Sequence, residues 1–194
     1  MAIELCNISK SFGEKKVIEN FTVEFPDCGI TVLMAPSGVG KTTLLRIIAG
    51  LEKPDSGTVN FHGDRVAVVF QESRLFPWLT AAENITAAAG VSRERAEALL
   101  KEFHMGTELN LYPAELSGGM QRRVALARAF AYGGALLLDE PFNGLDEELI
   151  HEIMDKIKTY AKSQPVILVT HNPEEARLTE GMVLRLEHFR GRFL

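Results

Sequence analysis

The sequence predicts an α/β fold, a largely parallel sheet covered on both faces and interrupted by a helical insertion. Three observations lead there. The apolar segment GITVLMA (29–35) runs into a small-residue loop and then into the helical KTTLLRIIAGL (41–51). Two further uninterrupted apolar segments, ALLLDE (135–140) and PVILVTH (165–171), flank the amphipathic stretch EELIHEIMDKIKTYAKS (147–163). Between these halves, residues 80 to 132 read as predominantly helical.

In chain order, AIELCNIS and KVIENFTVEF read as strands separated by a turn at Gly13, and GITVLMA follows as the buried strand. The helix KTTLLRIIAGL places Leu44, Leu45, Ile47, Ile48 and Leu51 on one side, and the proline and glycine of EKPDSG stop it. RVAVVF is a short buried strand. TAAENITAAAG, SRERAEALLKEFHM and SGGMQRRVALARAFAYG are helices divided by glycine or proline breaks. After PVILVTH, a short helix leads to GMVLRLE as the last strand.

At 194 residues the chain suits a single domain with one sizeable core. Its net charge of -5, with no basic stripe, argues against sequence-independent nucleic-acid binding, and no nucleic-acid partner is expected. Cys6 and Cys28 are too few for a disulfide framework or a zinc site, which points to reduced thiols and a cytosolic setting. No run approaches the ~18 apolar residues of a membrane span, and the N-terminus lacks the pattern of an export signal.

The segment APSGVGKTT (35–43) departs from a phosphate-binding loop, G-x-x-x-x-G-K-[ST], only at Ala35. Such a loop works because successive backbone N–H groups and a helix N-terminus point at phosphates, a lysine reaches the β- and γ-oxygens, and a hydroxyl meets Mg²⁺. Pro36, Ser37, Gly38, Val39, Gly40, Lys41, Thr42 and Thr43 are the nucleotide-binding candidates here. Ala35 leaves the strand, where an L-residue is acceptable at negative φ, whereas the inner glycines allow the backbone to approach a ligand. ALLLDE presents Asp139 and Glu140 at the carboxyl end of a buried strand, where α/β sheets bind ligands. By residue type alone the acidic pair suits either a helix cap or phosphate chemistry, with Asp139 orienting Mg²⁺ and Glu140 polarising water. In LSGGMQRR (116–123), Ser117, Gly118 and Gly119 open a helix whose free N–H groups make a second anion site. One loop cannot grip the same γ-phosphate from the opposite side within its own chain.

Taken in order along nearly the whole chain, these segments resemble the nucleotide-binding subunit of an ATP-binding-cassette (ABC) transporter. APSGVGKTT resembles the Walker A loop, Gln71 in VVFQESRLFPW the Q-loop, LSGGM the signature, ALLLDE the Walker B strand, NGLD the D-loop, and His171 in LVTHNPEEA the switch histidine. The resemblance implies a P-loop NTPase fold of the ABC type, one domain over 1–194 with an N-terminal antiparallel β part and a helical subdomain at about 76–130. It implies ATP and Mg²⁺ as ligands, Thr42, Gln71 and Asp139 at the metal, and Glu140, His171 and Gln71 as catalytic groups. Phe12 falls where the family sets an aromatic ring against adenine. Ordinary roles compete at single positions: Gln71 as a strand cap, His171 as a structural histidine, Phe12 as packing. His62, His104, His151 and His188 match no motif.

Met120 stands where the family's signature usually has glutamine, and Asn143 and Gly144 where its D-loop usually has serine and alanine. The chain's end at Leu194 leads us to expect no regulatory appendage. The segment ESRLFPWLTAAENI displays Leu75, Phe76, Pro77, Trp78 and Leu79 together, either as a buried turn or as a surface for a permease. Its wording resembles importers of nitrate, sulfonate or taurine. The resemblance thus implies an ATP-hydrolysing importer subunit, dimerising head to tail across ATP and energising a separate transmembrane permease fed by a solute-binding protein. Its place would be cytoplasmic, peripheral on the inner face of the membrane. The alternatives are a soluble ABC-type ATPase and a small-molecule kinase, the latter having no use for LSGG.

Overall fold

The computed structural model describes residues 2–36, 38–186 and 188–193. Two sheets form. The first four-stranded sheet joins β1 (Ile3–Phe12), β2 (Lys15–Phe25), β4 (Ser56–Phe61) and β9 (Phe189–Phe193) in the order β4-β1-β2-β9. β1 pairs antiparallel with β2 and β4, and β9 runs parallel to β2. The second sheet is wholly parallel and comprises β3 (Gly29–Met34), β5 (Val66–Val69), β6 (Ala135–Asp139), β7 (Pro165–Thr170) and β8 (Met182–Arg185), in the order β5-β6-β7-β3-β8.

Strand alternation divides the apolar side chains between two cores. Leu137, Ile167, Leu33 and Val169 face a core shared with the antiparallel sheet and with α1 (Lys41–Ile48), while Leu136, Leu138, Val32 and Leu168 face the opposite core. That second core is closed by α2 (Ala81–Ala89), α3 (Arg93–Glu102), α4 (Gly118–Tyr132), α5 (Glu147–Ala161) and α6 (Pro173–Leu178). A helix lodged between two sheets needs a wide apolar surface, and α1 buries Leu44, Leu45, Ile47 and Ile48. Each such side chain contributes about 1.5–3 kcal/mol by leaving water.

Two expectations need correction, and one strand was not foreseen. Leu51 lies beyond the end of α1 and is exposed, because Ala49 and Gly50 close the helix a turn earlier. SGTVNF forms β4, an edge strand whose exposed, weakly apolar residues carry no core signal. GMVLRLE is not the last strand: FRGRF adds β9 beside β2, with the ring of Phe189 edge-on to Phe21 at 5.3 Å.

The helices between β5 and β6 start where local chemistry says they should. Thr80 and Glu83 form a reciprocal capping box at α2, Ser92 caps α3, and Ser117 caps α4. Ahead of α2, the fully buried Asn84 ties down the 76–80 turn. Its Oδ1 accepts from the Phe76 N–H at 2.7 Å, and its Nδ2 donates to the Phe76, Leu79 and Thr80 carbonyls at 3.1, 2.9 and 3.1 Å. The turn therefore holds its shape while exposing its apolar residues: Trp78 is 70% and Phe76 38% exposed, with rings 5.8 Å apart. The buried-turn reading of this segment does not hold. We predict that Asn84→Leu costs about 2–3 kcal/mol in a urea titration, because it strands several buried backbone groups; a loss below 0.5 kcal/mol, on the same net scale for one hydrogen bond, would show that the turn is held by something else.

Candidate functional site

The loop after β3 and the loops after β6 and β7 leave the same edge of the parallel sheet, because these three strands are neighbours in register: Met34 lies beside Thr170, and Asp139 beside Val169. Their side chains meet in a cleft of about 390 Å³ lined by Phe12, Gly38, Gly40, Lys41, Thr42 and Thr43 on one side and Gln71, Asp139, Glu140 and His171 on the other. Lys15, Val17 and Asn143 also line it. Sequence reasoning passed over these three. Asn143 was visible only as a departure from a motif, and nothing marks Lys15 or Val17 until the turn between β1 and β2 folds over the loop.

Gly38 and Gly40 adopt φ of +78° and +112°, while Ala35 is absent from the described non-glycine residues at positive φ. Ser37 lies outside the described residues. A Cβ at Gly40 would sit 2.4 Å from Val17 Cγ1, whereas one at Gly38 would meet nothing within 4 Å. The Lys41 ammonium is buried and donates to the Ala35 and Pro36 carbonyls at 2.7 and 3.1 Å, which holds it at the mouth of the loop. The Thr42 hydroxyl donates to Asp139 Oδ2 at 2.5 Å, a contact spanning 97 positions of sequence.

Asp139 is 2% exposed. Burial pushes its carboxyl above the ordinary aspartate value, and Glu140 adds to the effect; the Thr42 hydroxyl, Lys41 and Arg122 oppose it. Glu140 sits in the left-handed region at φ +48°, held by its N–H to the Val169 carbonyl at 2.9 Å. Such a conformation costs a non-glycine residue about 1–2 kcal/mol. Its Oε1 lies 2.9 Å from His171 Nδ1. Neither carboxylate caps a helix: Asp146 performs that role for α5, accepting from the Leu149 N–H at 2.9 Å.

Gln71 reaches the cleft from the bend after β5, and its backbone is fixed from outside. The buried Arg122 guanidinium on α4 donates to the Phe70 and Gln71 carbonyls, and Arg128, nearly two turns on, donates to the Ser73 and Arg74 carbonyls at 3.0 Å each. Phe12 is 51% exposed at the rim, with the Lys10 ammonium over one face of its ring, 5.3 Å from the centroid. Pro36 and Val39 line an adjoining cavity with Lys15, Lys16, His188 and Arg190.

Ser117, Gly118 and Gly119 do not join the cleft; Ser117 Oγ accepts from the Met120 N–H at 3.3 Å and stands exposed at the head of α4. Gly119 is packed so closely on the Gly144 carbonyl that a Cβ there would lie 2.6 Å from it. Among the described residues no group of three or more His, Cys, Asp or Glu forms a self-sufficient metal site. The adjacent Thr42 and Asp139 oxygens do suit a hard cation that takes its other ligands from phosphate and water.

The family model for the ABC transporter matches residues 18–143. The sulfate/thiosulfate import ATP-binding protein CysA of Escherichia coli (strain K12) is 40% identical over 91% of this chain and 55% of its own length. A probable sulfate/thiosulfate import ATP-binding protein of Chlorella vulgaris is 38% identical over 97% of this chain and 88% of its own. The aliphatic sulfonates import ATP-binding protein SsuB 1 of Rhizobium johnstonii is 36% identical over 97% and 74%. The chain thus spans about half the length of the bacterial sulfate/thiosulfate relative, 55%. Among solved structures, a dimeric ATP-binding cassette in a post-hydrolysis state, bound to ADP and Pi, superposes with a TM-score of 0.88 at 31% identity, covering 97% of this chain and 99% of that one. A second dimeric cassette structure gives 0.89 at the same identity. The chain belongs to the ABC transporter family.

We predict that Gly40→Ala is the more damaging of the two loop substitutions. Gly38→Ala meets only the backbone cost of about 1–2 kcal/mol, and Gly40→Ala adds overlap with Val17 worth about 1–3 kcal/mol. Thermal melts of the two variants compare them; equal shifts would show that Val17 moves aside freely.

Proposed function

We propose that this member of the ABC transporter family binds and hydrolyses ATP as the energising subunit of an importer, working as a head-to-tail dimer beneath a separate transmembrane permease. The observation that carries the reading is the convergence, in one cleft at the sheet's carboxyl edge, of Lys41, the Thr42–Asp139 pair and the Glu140–His171 pair. No helix among the described residues is long and apolar enough to cross a membrane, so a permease is assigned to another polypeptide. The relatives' names favour a small oxyanion or sulfonate as the solute, delivered by a solute-binding protein, with the dimer on the inner face of the cell membrane.

In this mechanism the Phe12 ring stacks on adenine, while Lys41 and the backbone N–H groups of residues 38–43 hold the phosphates. Thr42, Asp139 and Gln71 would hold Mg²⁺, which offsets the charge on the phosphate oxygens. Glu140 accepts a proton from the water that attacks the γ-phosphorus as ADP departs. With His171 Nδ1 engaged by Glu140, Nε2 is the ring nitrogen left to hydrogen-bond the γ-phosphate. The exposed Ser117 and Gly118, with the partly buried Gly119, close the same nucleotide from the partner protomer, which explains why they stand outside their own chain's cleft.

Three outcomes follow. Lys41→Ala should remove a charge-assisted contact worth ~1.5–3 kcal/mol and lower ATP affinity accordingly. Glu140→Gln should stop hydrolysis, keep binding, and accumulate as a dimer with ATP and Mg²⁺ but remain monomeric with ADP. Light scattering checks this, and an unchanged mass with ATP would overturn the shared site. Ser117→Arg, added to Glu140→Gln, should abolish the dimer while ATP still binds.

The exposed Trp78 and Phe76 form the surface assigned to the permease. Trp78→Ala should leave the melting temperature and basal hydrolysis nearly unchanged yet release the protein from its membrane partner in copurification, since exposed aromatic anchors often dominate an interface. Undiminished copurification would move the docking surface elsewhere.

A further inference from the structure

Next to the Glu140–His171 pair stands a second buried carboxylate for which the mechanism above has no task. Glu175, in the first turn of α6, is 8% exposed. Its Oε2 lies 2.5 Å from the Thr170 hydroxyl, and its Oε1 accepts from the Asn172 side-chain amide at 3.3 Å. Capping does not account for it, because Asn172 Oδ1 already accepts from the Glu174 N–H at 2.9 Å. Burying a carboxylate is costly unless donors meet it. Burial indeed pushes the Glu175 pKa up, with Glu140 adding to the rise, and the Thr170 and Asn172 donors together with His171 oppose it.

Thr170 ends β7 and is fully buried. Its hydroxyl oxygen accepts from the Asn172 N–H at 3.0 Å, which leaves it one hydrogen to give. Two carboxylates face that hydrogen: Glu175 Oε2 at 2.5 Å and Glu140 Oε2 at 3.5 Å. Distance settles the choice, since a hydrogen bond weakens steeply beyond about 3.2 Å.

We infer that Glu175 is a positioning residue for the Glu140–His171 pair: by taking the only hydroxyl hydrogen of Thr170, it leaves Glu140 Oε2 free toward the cleft. The inference rests on the reading that Glu140 accepts a proton from water. Without an acceptor at position 175, the Thr170 hydroxyl turns to Glu140 Oε2 and occupies the oxygen on which that step depends. The His171 contact to the other oxygen, Oε1, is then what holds the carboxylate in place, with both of its oxygens engaged inside the protein.

The test is steady-state ATP hydrolysis by the full chain with Mg²⁺, comparing wild type, Glu175→Met, Glu175→Gln, and Glu175→Met combined with Thr170→Val, alongside melting temperature and ATP affinity. Methionine keeps the volume and offers only a weak acceptor, so the fold is preserved. Glu175→Met should lower kcat about tenfold, a part of the 10²–10⁴-fold that a positioned base contributes, while KM for ATP stays within about twofold. Glu175→Gln, whose amide oxygen still accepts from Thr170, should lose less than about threefold. Adding Thr170→Val to Glu175→Met should recover most of the loss, because no hydroxyl remains to engage Glu140. A packing role predicts the opposite, a double variant slower and less stable than either parent. A Glu175→Met enzyme as fast as wild type, or a double variant no faster than Glu175→Met, overturns the inference. Wild-type protein whose ATP hydrolysis is absent, or survives Lys41→Ala, overturns instead the functional reading on which it stands.

Discussion

The neighbouring register of β3, β6 and β7 is the constraint on which the rest of the molecule depends. Parallel strands release every following loop at one edge. Because β7 lies between β6 and β3, the chain emerges at Asp139, at Thr170 and at Met34 along one edge only two strand spacings wide, about 10 Å. The Thr42–Asp139 and Glu140–His171 contacts are consequences of this placement: Glu140 and His171 follow the adjacent strands β6 and β7, and Thr42, in the helix after β3, reaches past the end of β7 to Asp139. The inward-facing Leu136, Leu137, Ile167 and Leu168 thus position the polar site although none of them touches it.

That edge concentrates like charge, and the surroundings bear the cost. Asp139, Glu140 and Glu175 are all largely buried within a short span. Each meets a donor: Thr42 for Asp139, His171 for Glu140, Thr170 and Asn172 for Glu175. Arg122, itself buried with its guanidinium engaged by the Phe70 and Gln71 carbonyls, adds a positive field that Asp139 senses. Glu140 also carries backbone strain at φ +48°. A strained, crowded acid at a cleft is unfavourable for stability alone, and such residues cluster where function needs them.

Helix α4 connects the two ends of the proposed mechanism. Its first residues present Ser117 outward, and its body carries Arg122 and Arg128, which hold the backbone from Phe70 to Arg74. Gln121 meanwhile secures the turn before the helix through the Pro113 and Leu116 carbonyls. The close contact of Gly119 with the Gly144 carbonyl adds a link to the segment that puts Asn143 into the cleft. Through these contacts α4, the Gln71 bend and the 143–144 turn share a set of fixed partners, so displacement of one is opposed by the others.

The sequence by itself determined the elements whose signal is local. Apolar runs marked β3, β6 and β7; glycine and proline breaks divided the helices between 80 and 132; and the segments around Lys41, Gln71, Ser117, Asp139 and His171 were legible through their ordered resemblance to one family. Strands β4 and β9 were not legible, since an exposed edge strand has no apolar alternation to betray it and is made a strand by its neighbour. For the same reason Lys15, Val17 and Asn143 surfaced only once the β1–β2 turn and the 143–144 turn folded over the loop. Whether the 75–79 segment is buried or displayed turned on Asn84, a polar residue whose four hydrogen bonds no pattern announces. The competition between Glu140 and Glu175 for one hydroxyl was likewise a tertiary matter: it rests on a difference between 2.5 and 3.5 Å, and distances between residues on different strands are set by packing and not by spacing along the chain.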